Sequence, residues 1–211
     1  MLKKLGCKEE GIKREVIYTE GKYKAEFQGE GMGNRIIICG CNGSGKSTLG
    51  IELARQLQCT FFDIEDYYFP NKNTDYIYDF ARSRTEVECL LLKDMKKCEN
   101  FVLASVKGSF KEEIVSLFTT AVKISVDKEI RIQRVKARSF QKFGKRILFG
   151  GDLYEKEKQF FDMVESRTES SVDEWLGSMN CNIIWVDGTN SIVENIEKII
   201  EILHTGNNGC R

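Results

Sequence analysis

The sequence predicts a three-layer α/β/α sandwich built around a parallel sheet of five strands. Two observations predict this fold class. Five short apolar runs, of the kind buried on both faces of a parallel sheet, alternate along the chain with helix-like stretches. A glycine-rich octet follows the first apolar run and leads into a helix, which is the sequence context of a phosphate-binding loop.

The predicted strands are brief and rich in β-branched and aromatic residues. They cover residues 35–39, 59–63, 101–105, 121–126 and 183–187. Between and after them lie the predicted helices, at 48–58, 85–97, 110–118, 127–138, 153–176 and 191–204. Parallel neighbours need a crossover connection, usually a helix, so this alternation favours a parallel sheet.

A chain of 211 residues is long enough for one domain with a sizeable core and a small addition. We expect that domain at residues 35–204, with a lid at about 139–152, and a C-terminal tail at 205–211. Residues 1–34 carry six glycines and form a separate N-terminal extension. Its pattern predicts a β-hairpin that turns at Glu20-Gly21, after about a dozen residues that we expect to be disordered.

Composition excludes several classes of protein. Lysine plus arginine and aspartate plus glutamate both number 32, so no global charge favours a nucleic acid or an anionic membrane as partner. No apolar run approaches the length of a membrane span, and no signal segment opens the chain. We therefore expect a cytoplasmic protein, monomeric or homodimeric. Eight scattered cysteines without a Cys-x-x-Cys pair, and one histidine, indicate reduced thiols rather than a zinc site.

The octet at residues 40–47 is the strongest chemical signal in the sequence. Backbone amides of such a loop curl around a phosphate, and the dipole of the following helix adds favourable charge. Lys46 is expected to reach the outer phosphates as a catalytic cation, and the Ser47 hydroxyl to coordinate Mg2+. The predicted nucleotide-binding residues are Gly40, Asn42, Gly43, Ser44, Gly45, Lys46, Ser47 and Thr48.

Magnesium also needs a carboxylate, and the ends of neighbouring strands are the places that can supply one. Asp63 ends the second strand and is the predicted metal-binding acid. It could instead act as a general base toward a substrate hydroxyl. The ordinary structural interpretation of the same residue is a helix N-cap.

A basic stretch without acids lies between Arg131 and Gly151. Arg131, Arg134 and Arg138 share one helical face there, and a Gly150-Gly151 pair follows. Such a segment could close over phosphates, supply positive charge in the transition state and exclude water. The alternative is a solvated basic face, the usual fate of a charge run.

Candidates for binding a small-molecule acceptor lie between the second and fourth strands. Arg82 and Arg84 precede a helix, and planar guanidinium groups suit a phosphate or carboxylate. Lys107 follows the third strand, where a plain turn is the alternative. The aromatic residues of segment 67–80 could stack on a nucleobase, although packing is the more common role.

In this order of motifs, the sequence resembles the P-loop kinase superfamily, which includes nucleoside monophosphate, shikimate and gluconate kinases. It also resembles bacterial AAA-type, adenylate kinase-like ATPases of unassigned substrate, through Phe62-Asp63-Ile64-Glu65-Asp66 and the segment 101–108. The resemblance implies ATP and Mg2+, and a catalytic, nucleotide-binding role for Arg138. It implies an acceptor role for Arg84, and lid or post-lid positions for Arg146 and Arg167, with Arg146 at the substrate.

Two departures from the resembled families leave the acceptor open. No acid follows the third strand, unlike in common nucleoside monophosphate kinases. Asp63-Ile64-Glu65-Asp66 replaces the Asp-x-Asp of shikimate kinases. Three hypotheses follow: a kinase of a nucleotide or nucleoside, a kinase of a hydroxylated small anion, and an ATP-hydrolysing regulator whose hairpin contacts a partner.

Overall fold

The chain divides into two compact units, Met1–Met32 and Gly33–Arg211. A computed structural model describes residues 16–19, 22–25, 33–71 and 75–206. In the first unit, strands β1 (Val16–Thr19) and β2 (Lys22–Ala25) pair antiparallel, with Tyr18 opposite Tyr23. This antiparallel pairing is the one that the predicted β-hairpin requires. The predicted turn at Glu20-Gly21, the first dozen residues and most of the predicted C-terminal tail lie outside the described residues.

The second unit is organised around one parallel sheet of five strands. These strands are β3 (Arg35–Cys39), β4 (Thr60–Asp63), β5 (Phe101–Ala104), β6 (Thr120–Ser125) and β7 (Asn182–Asp187). They lie in the order β4, β5, β3, β6, β7, and every neighbouring pair is parallel. The predicted α/β fold with a five-stranded parallel sheet is confirmed, and β3 is its central strand.

Helices connect the strands of this sheet. The helices are α1 (Lys46–Gln56), α2 (Ile64–Tyr68), α3 (Arg84–Met95), α4 (Glu112–Val115), α5 (Lys128–Phe143), α6 (Tyr154–Ser166), α7 (Ser170–Gly177) and α8 (Ile192–Gly206). A 3-10 turn at Gly144–Ile147 follows α5. The predicted helices are present, but the one predicted at 110–118 is only the four residues of α4. Two further differences affect the candidate site.

The first difference is that the helix predicted at 153–176 is two helices, α6 and α7. Arg167 ends α6 in an extended conformation, with φ −75° and ψ 127°. Its guanidinium hydrogen-bonds to Asn42 of the phosphate-binding loop, and Glu169 forms ion pairs with buried cations. These long-range contacts account for the break, which the local pattern does not contain.

The second difference concerns the predicted lid at about 139–152. Helix α5 continues through its first residues and ends only at Phe143. Gly144, with φ 59° and ψ −136°, then turns the chain out of the helix. The non-helical part of this segment is therefore shorter than predicted, and the basic residues before Phe143 lie on a rigid helix.

Apolar side chains cover both faces of the sheet. Alternation along β3 sends Ile36 and Ile38 to one face and Ile37 to the other. Helices α1 and α8 pack on the first face, and α3, α4 and α7 on the second. This gives the predicted three layers and places the C-terminal ends of the strands at one edge. No helix among the described residues is long and apolar enough to span a membrane.

Two aliphatic residues of α1 provide a test of this packing. Leu53 is 0% exposed, whereas Ile51 is 56% exposed. We expect Leu53→Ala to lower the free energy of unfolding by about 2–5 kcal/mol, because it removes packed methyl groups and leaves a cavity. Ile51→Ala should change it by about 0.5 kcal/mol or less. Urea unfolding measures both, and equal losses would contradict the described orientation of α1.

Candidate functional site

The phosphate-binding loop, residues 40–45, joins the C-terminal end of β3 to α1. At two positions of the loop only glycine fits, because a side chain would collide with backbone atoms. A Cβ on Gly40 would lie 2.3 Å from the carbonyl oxygen of Ile124, and one on Gly43 would lie 2.3 Å from that of Arg131. Their φ angles, 150° and 81°, are also positive. The loop therefore passes against β6 and α5 in a conformation that other residues would disrupt.

The N-terminus of α1 presents donors beside this loop. Gly45 is the N-cap and has a left-handed backbone conformation. The first amides of a helix have no partner within the helix, so they and the helix dipole favour an anion here. The Lys46 ammonium donates to the carbonyl oxygen of Cys41 at 3.1 Å, which holds it over the loop. Six of the predicted loop residues line one concave, electropositive cradle, namely Asn42, Gly43, Gly45, Lys46, Ser47 and Thr48, whereas Gly40 is not among the lining residues and Ser44 is buried.

Asp63 bridges this cradle to the next helix. The Ser47 hydroxyl donates to Oδ2 of Asp63 at 2.5 Å. Oδ1 of the same carboxylate accepts from the backbone amide of Glu65 at 3.0 Å and caps α2. One oxygen of Asp63 therefore caps α2, as the ordinary structural interpretation has it, and the other accepts from the Ser47 hydroxyl. The metal-binding role of Asp63 stays a prediction.

The pair of Ser47 and Asp63 is chemically suited to magnesium, which prefers hard oxygen ligands and retains several waters. Two neighbouring protein oxygens suffice for such an ion when phosphate oxygens supply further ligands. Within the described residues, no group of three or more histidine, cysteine, aspartate or glutamate side chains forms a metal site. The donor set therefore fits a metal that arrives with a nucleotide rather than a resident ion.

Burial lowers the pKa of Lys46 from 10.5 to about 8. The carboxylates of Glu65 and Asp63 act in the opposite direction, and Arg138 adds to the lowering. Burial dominates because an ammonium group loses hydration that these neighbours do not replace. A polyanion beside Lys46 would supply the missing negative charge and raise its pKa again.

Asn42 is held from two sides by arginines. Arg131, only 2% exposed, donates from Nη1 to the Asn42 carbonyl oxygen at 3.4 Å and from Nε to the Val126 carbonyl at 3.0 Å. Arg167 donates to the Asn42 side-chain oxygen at 2.5 Å. Arg131, predicted as part of a mobile basic patch, is instead a buried support of the loop.

A buried ion network continues behind the loop. Glu169 pairs with Arg131 at 3.5 Å and with Lys123 at 3.1 Å, and Lys123 also pairs with Asp173. Lys123 is 2% exposed, and its ammonium lies 5.0 Å from the ring centroid of Trp185. The network balances two buried cations, which would otherwise carry a large desolvation cost.

A cavity of about 770 Å³ opens from the phosphate-binding loop. It combines cationic, acidic and aromatic walls. Its cationic residues are Lys46, Arg84, Lys107, Arg134, Arg138 and Arg167, its acids are Asp63 and Glu65, and its aromatic residues are Tyr68, Phe69, Tyr76, Tyr78, Phe110 and Phe160. The cations outnumber the acids, so the cavity suits anionic ligands with an aromatic or apolar part.

The two predicted lid arginines lie in different surroundings. Arg138 lines the cavity, and its guanidinium forms no hydrogen bond or ion pair within the described part of the chain. Arg146 is not among the lining residues. It donates to both carboxylate oxygens of Asp75, at 2.8 and 2.7 Å, and to Asp152. Hydrogen bonds from Arg146 lower the pKa values of both aspartates.

The predicted acceptor residues are also divided. Arg84 and Lys107 line the cavity. Arg84 donates to Glu88 at 2.9 Å and to the Ser109 carbonyl, which fixes its guanidinium at the mouth. Arg82 lies outside the lining and donates to the Tyr67 carbonyl at 3.1 Å. Its substrate-binding role stays a prediction, with a structural partner in this conformation.

Arg134 was predicted to share a basic helical face with Arg131 and Arg138, and it lines the cavity. It donates to the carbonyl oxygens of Gly43 and Gly188, at 3.4 and 3.2 Å, and so ties α5 to the loop. Two other lining residues, Phe160 and Met163, carried no role in the sequence-based prediction. No sequence signal marks them, because apolar residues three apart on a helix are typical of ordinary packing.

Comparison with known proteins gives a family match. The model of the AAA domain family matches residues 36–146. The chain is 28% identical over 180 residues to the uncharacterized protein YqaC of Bacillus subtilis (strain 168), covering 82% of this chain and 98% of that protein.

Solved structures of two kinases share the fold. The gluconokinase of Sinorhizobium meliloti 1021 matches with a TM-score of 0.50 at 13% identity, over 82% of this chain and 93% of its own. The deoxyadenosine kinase of M. mycoides, solved with bound dATP, matches with a TM-score of 0.50 at 16% identity, over 81% and 99%. At these identities the likeness concerns the fold alone, which is that of P-loop kinases.

The pKa of Lys46 gives a testable pH dependence. A free-state pKa of about 8 means that Lys46 loses its charge above that pH, whereas a bound triphosphate keeps it protonated. Affinity for a purine nucleoside triphosphate should therefore fall as pH rises above about 8, by up to about tenfold per pH unit. Titration calorimetry measures the affinity at each pH. Lys46→Met is the control, and its affinity should not show this pH dependence because it lacks the titrating group. Constant wild-type affinity between about pH 8 and 9.5 would contradict the assignment.

Proposed function

Because the chain belongs to the AAA domain family, whose model matches residues 36–146, and has a P-loop kinase fold, we propose that it is an ATP-dependent phosphotransferase. It moves the γ-phosphoryl group of MgATP to a small acceptor, a nucleotide or nucleoside. One observation carries the proposal: a single cavity of about 770 Å³ includes both the phosphate-binding loop and the cationic, aromatic region around Arg84 and Tyr78. A pure ATPase does not need that second region.

The donor side follows from the loop and the basic helix. Loop amides, the Lys46 ammonium and the α1 dipole bind the β and γ phosphates. Ser47 and Asp63 hold Mg2+, which when bound neutralises charge on the transferring phosphoryl group. Arg138, exposed to the cavity and without a hydrogen bond or ion pair to any described residue, is placed to stabilise transition-state charge.

The acceptor side favours an anionic nucleotide. Arg84 has five N–H donors in principle, and contacts to Glu88 and Ser109 leave the others for a ligand oxygen. Lys107 adds a second positive charge at the same end of the cavity. Tyr78 and Phe160, which stack at 5.6 Å and 16°, form an apolar wall for a planar group. A nucleotide fits both features, because its phosphate can bind the two cations and its nucleobase can lie on the aromatic wall.

The two acids of the cavity bear on whether the acceptor reacts through a phosphate or through a hydroxyl. Both oxygens of Asp63 are engaged, by Ser47 and by the Glu65 amide, so Asp63 is poorly placed to remove a proton. Glu65 lines the cavity and is exposed, which makes it the better candidate for a general base. A hydroxyl acceptor requires such a base, whereas a phosphate acceptor, already ionised, does not.

An acceptor screen tests the proposal. Purified protein with ATP and magnesium should phosphorylate at least one nucleoside monophosphate or nucleoside in a panel that also contains sugar acids. Lys46→Ala serves as the blank and should lose about 10²–10³-fold in rate, because it removes a preorganised charge at the phosphates. If ATP is hydrolysed but no acceptor is phosphorylated above the blank, the hydrolysing regulator replaces the kinase.

A second variant pair decides the type of acceptor. For a nucleotide acceptor we expect Glu65→Gln to lower kcat by less than about tenfold, because no hydroxyl proton has to be removed. Asp63→Asn should instead raise the magnesium concentration needed for half-maximal rate. A loss of about 10²–10⁴-fold in Glu65→Gln would show that the acceptor reacts through a hydroxyl. Steady-state kinetics with magnesium titration measures both.

A further inference from the structure

Glu157 is a carboxylate buried at 0% exposure in the first turn of helix α6. Its Oε1 accepts a hydrogen bond from the Tyr76 hydroxyl at 2.8 Å. Its Oε2 has no hydrogen-bond partner among the residues that the structure describes. A buried carboxylate with an unpaired oxygen carries a desolvation cost that an apolar residue would avoid. Packing alone therefore does not account for a glutamate here.

Tyr76 belongs to the acceptor segment, which we define as residues 75–80, between α2 and α3. Two surface ion pairs flank the buried contact. Asp75 pairs with Arg146 at 2.7 Å, and Asp79 pairs with Lys156 at 2.6 Å. Such exposed pairs contribute little by themselves, so among the contacts of the described residues the buried Tyr76–Glu157 hydrogen bond is the main polar anchor of the acceptor segment.

The anchored segment forms one part of the proposed acceptor site. Tyr78 lines the cavity and stacks on Phe160, which lies one turn beyond Glu157 on α6. Tyr76, 6% exposed, contacts Phe143 at the end of α5, with ring centroids 5.3 Å apart. The aromatic wall is thus shared between the acceptor segment and α6, and it meets the helix that carries Arg138.

We propose that Glu157 is a positioning residue: through the Tyr76 hydroxyl it fixes the acceptor segment to α6, so that the aromatic wall and the basic end of α5 move as one body. The acceptor role rests on the proposed function. Glu157 acts through Tyr76 and does not touch the reacting atoms.

Four variants test this link. Glu157→Leu and Tyr76→Phe remove the hydrogen bond, and Glu157→Gln keeps a carbonyl oxygen to accept it. Glu165→Leu is the matched control, because Glu165 lies on the same helix with 42% side-chain exposure and pairs with Lys136. We expect the first two variants to raise the KM of the acceptor by about tenfold, as loss of a buried hydrogen bond would. MgATP affinity and kcat should change less than about threefold.

Glu157→Gln and Glu165→Leu should both stay near wild-type KM. In a double-mutant cycle, Glu157→Leu with Tyr76→Phe should be no worse than either single change, because the two act through one bond. A purely structural role predicts a different result, namely parallel losses of KM, kcat, MgATP affinity and melting temperature. That pattern, or an acceptor KM unchanged in both variants, overturns the proposal.

Amide hydrogen exchange separates this proposal from the proposed function, because it needs no turnover. In Glu157→Leu, exchange should rise together in the acceptor segment and in residues 144–152, and neither should rise in Glu165→Leu. If wild-type protein phosphorylates no acceptor, the proposed function fails and the acceptor role of Glu157 with it, whereas joint exchange still supports the mechanical link. Phosphoryl transfer with unlinked exchange overturns the link alone.

Discussion

The close passage of the phosphate-binding loop against β6 and α5 is the constraint on which the rest of the site depends. At Gly40 and Gly43 the neighbouring carbonyl oxygens leave no room for a Cβ. The loop is therefore shaped by backbone atoms of distant segments rather than by its own side chains. Because those segments also carry Ile124 and Arg131, the cradle, the central sheet and the basic helix are held in one fixed arrangement.

The basic residues around the loop fall into two groups, buried cations that are paired with carboxylates and cations that line the cavity. Arg131 and Lys123 are buried and balanced by Glu169 and Asp173, so they offer little field to a ligand. Lys46 and Arg138 are among the cations that line the cavity. The pKa of Lys46 is lowered because its ammonium is buried, and the nearby carboxylates of Glu65 and Asp63 do not fully offset this loss of hydration.

Local pattern was enough to predict the sheet, the strand-loop-helix unit and the place of Asp63 at the end of β4, because strand periodicity and this motif are encoded within short stretches. Local pattern did not predict features that depend on contacts between residues far apart in the sequence. The break between α6 and α7 depends on Asn42 and Lys123, both far away in sequence. Arg146 lies in a basic segment that predicts a lid, yet its guanidinium donates to the carboxylates of Asp75 and Asp152.

The same long-range contacts connect the loop to the aromatic segment that the proposed function assigns to the acceptor. Helix α5 carries Arg131, which donates to the Asn42 carbonyl, and ends at Phe143 against Tyr76. Helix α6 carries Phe160, which stacks on Tyr78, and ends at Arg167 against the Asn42 side chain. Each helix therefore contacts both the phosphate-binding loop and the segment 75–80. Because these contacts lie on helices rather than on a loop, the backbone hydrogen bonds of each helix fix the spacing between its two contacts.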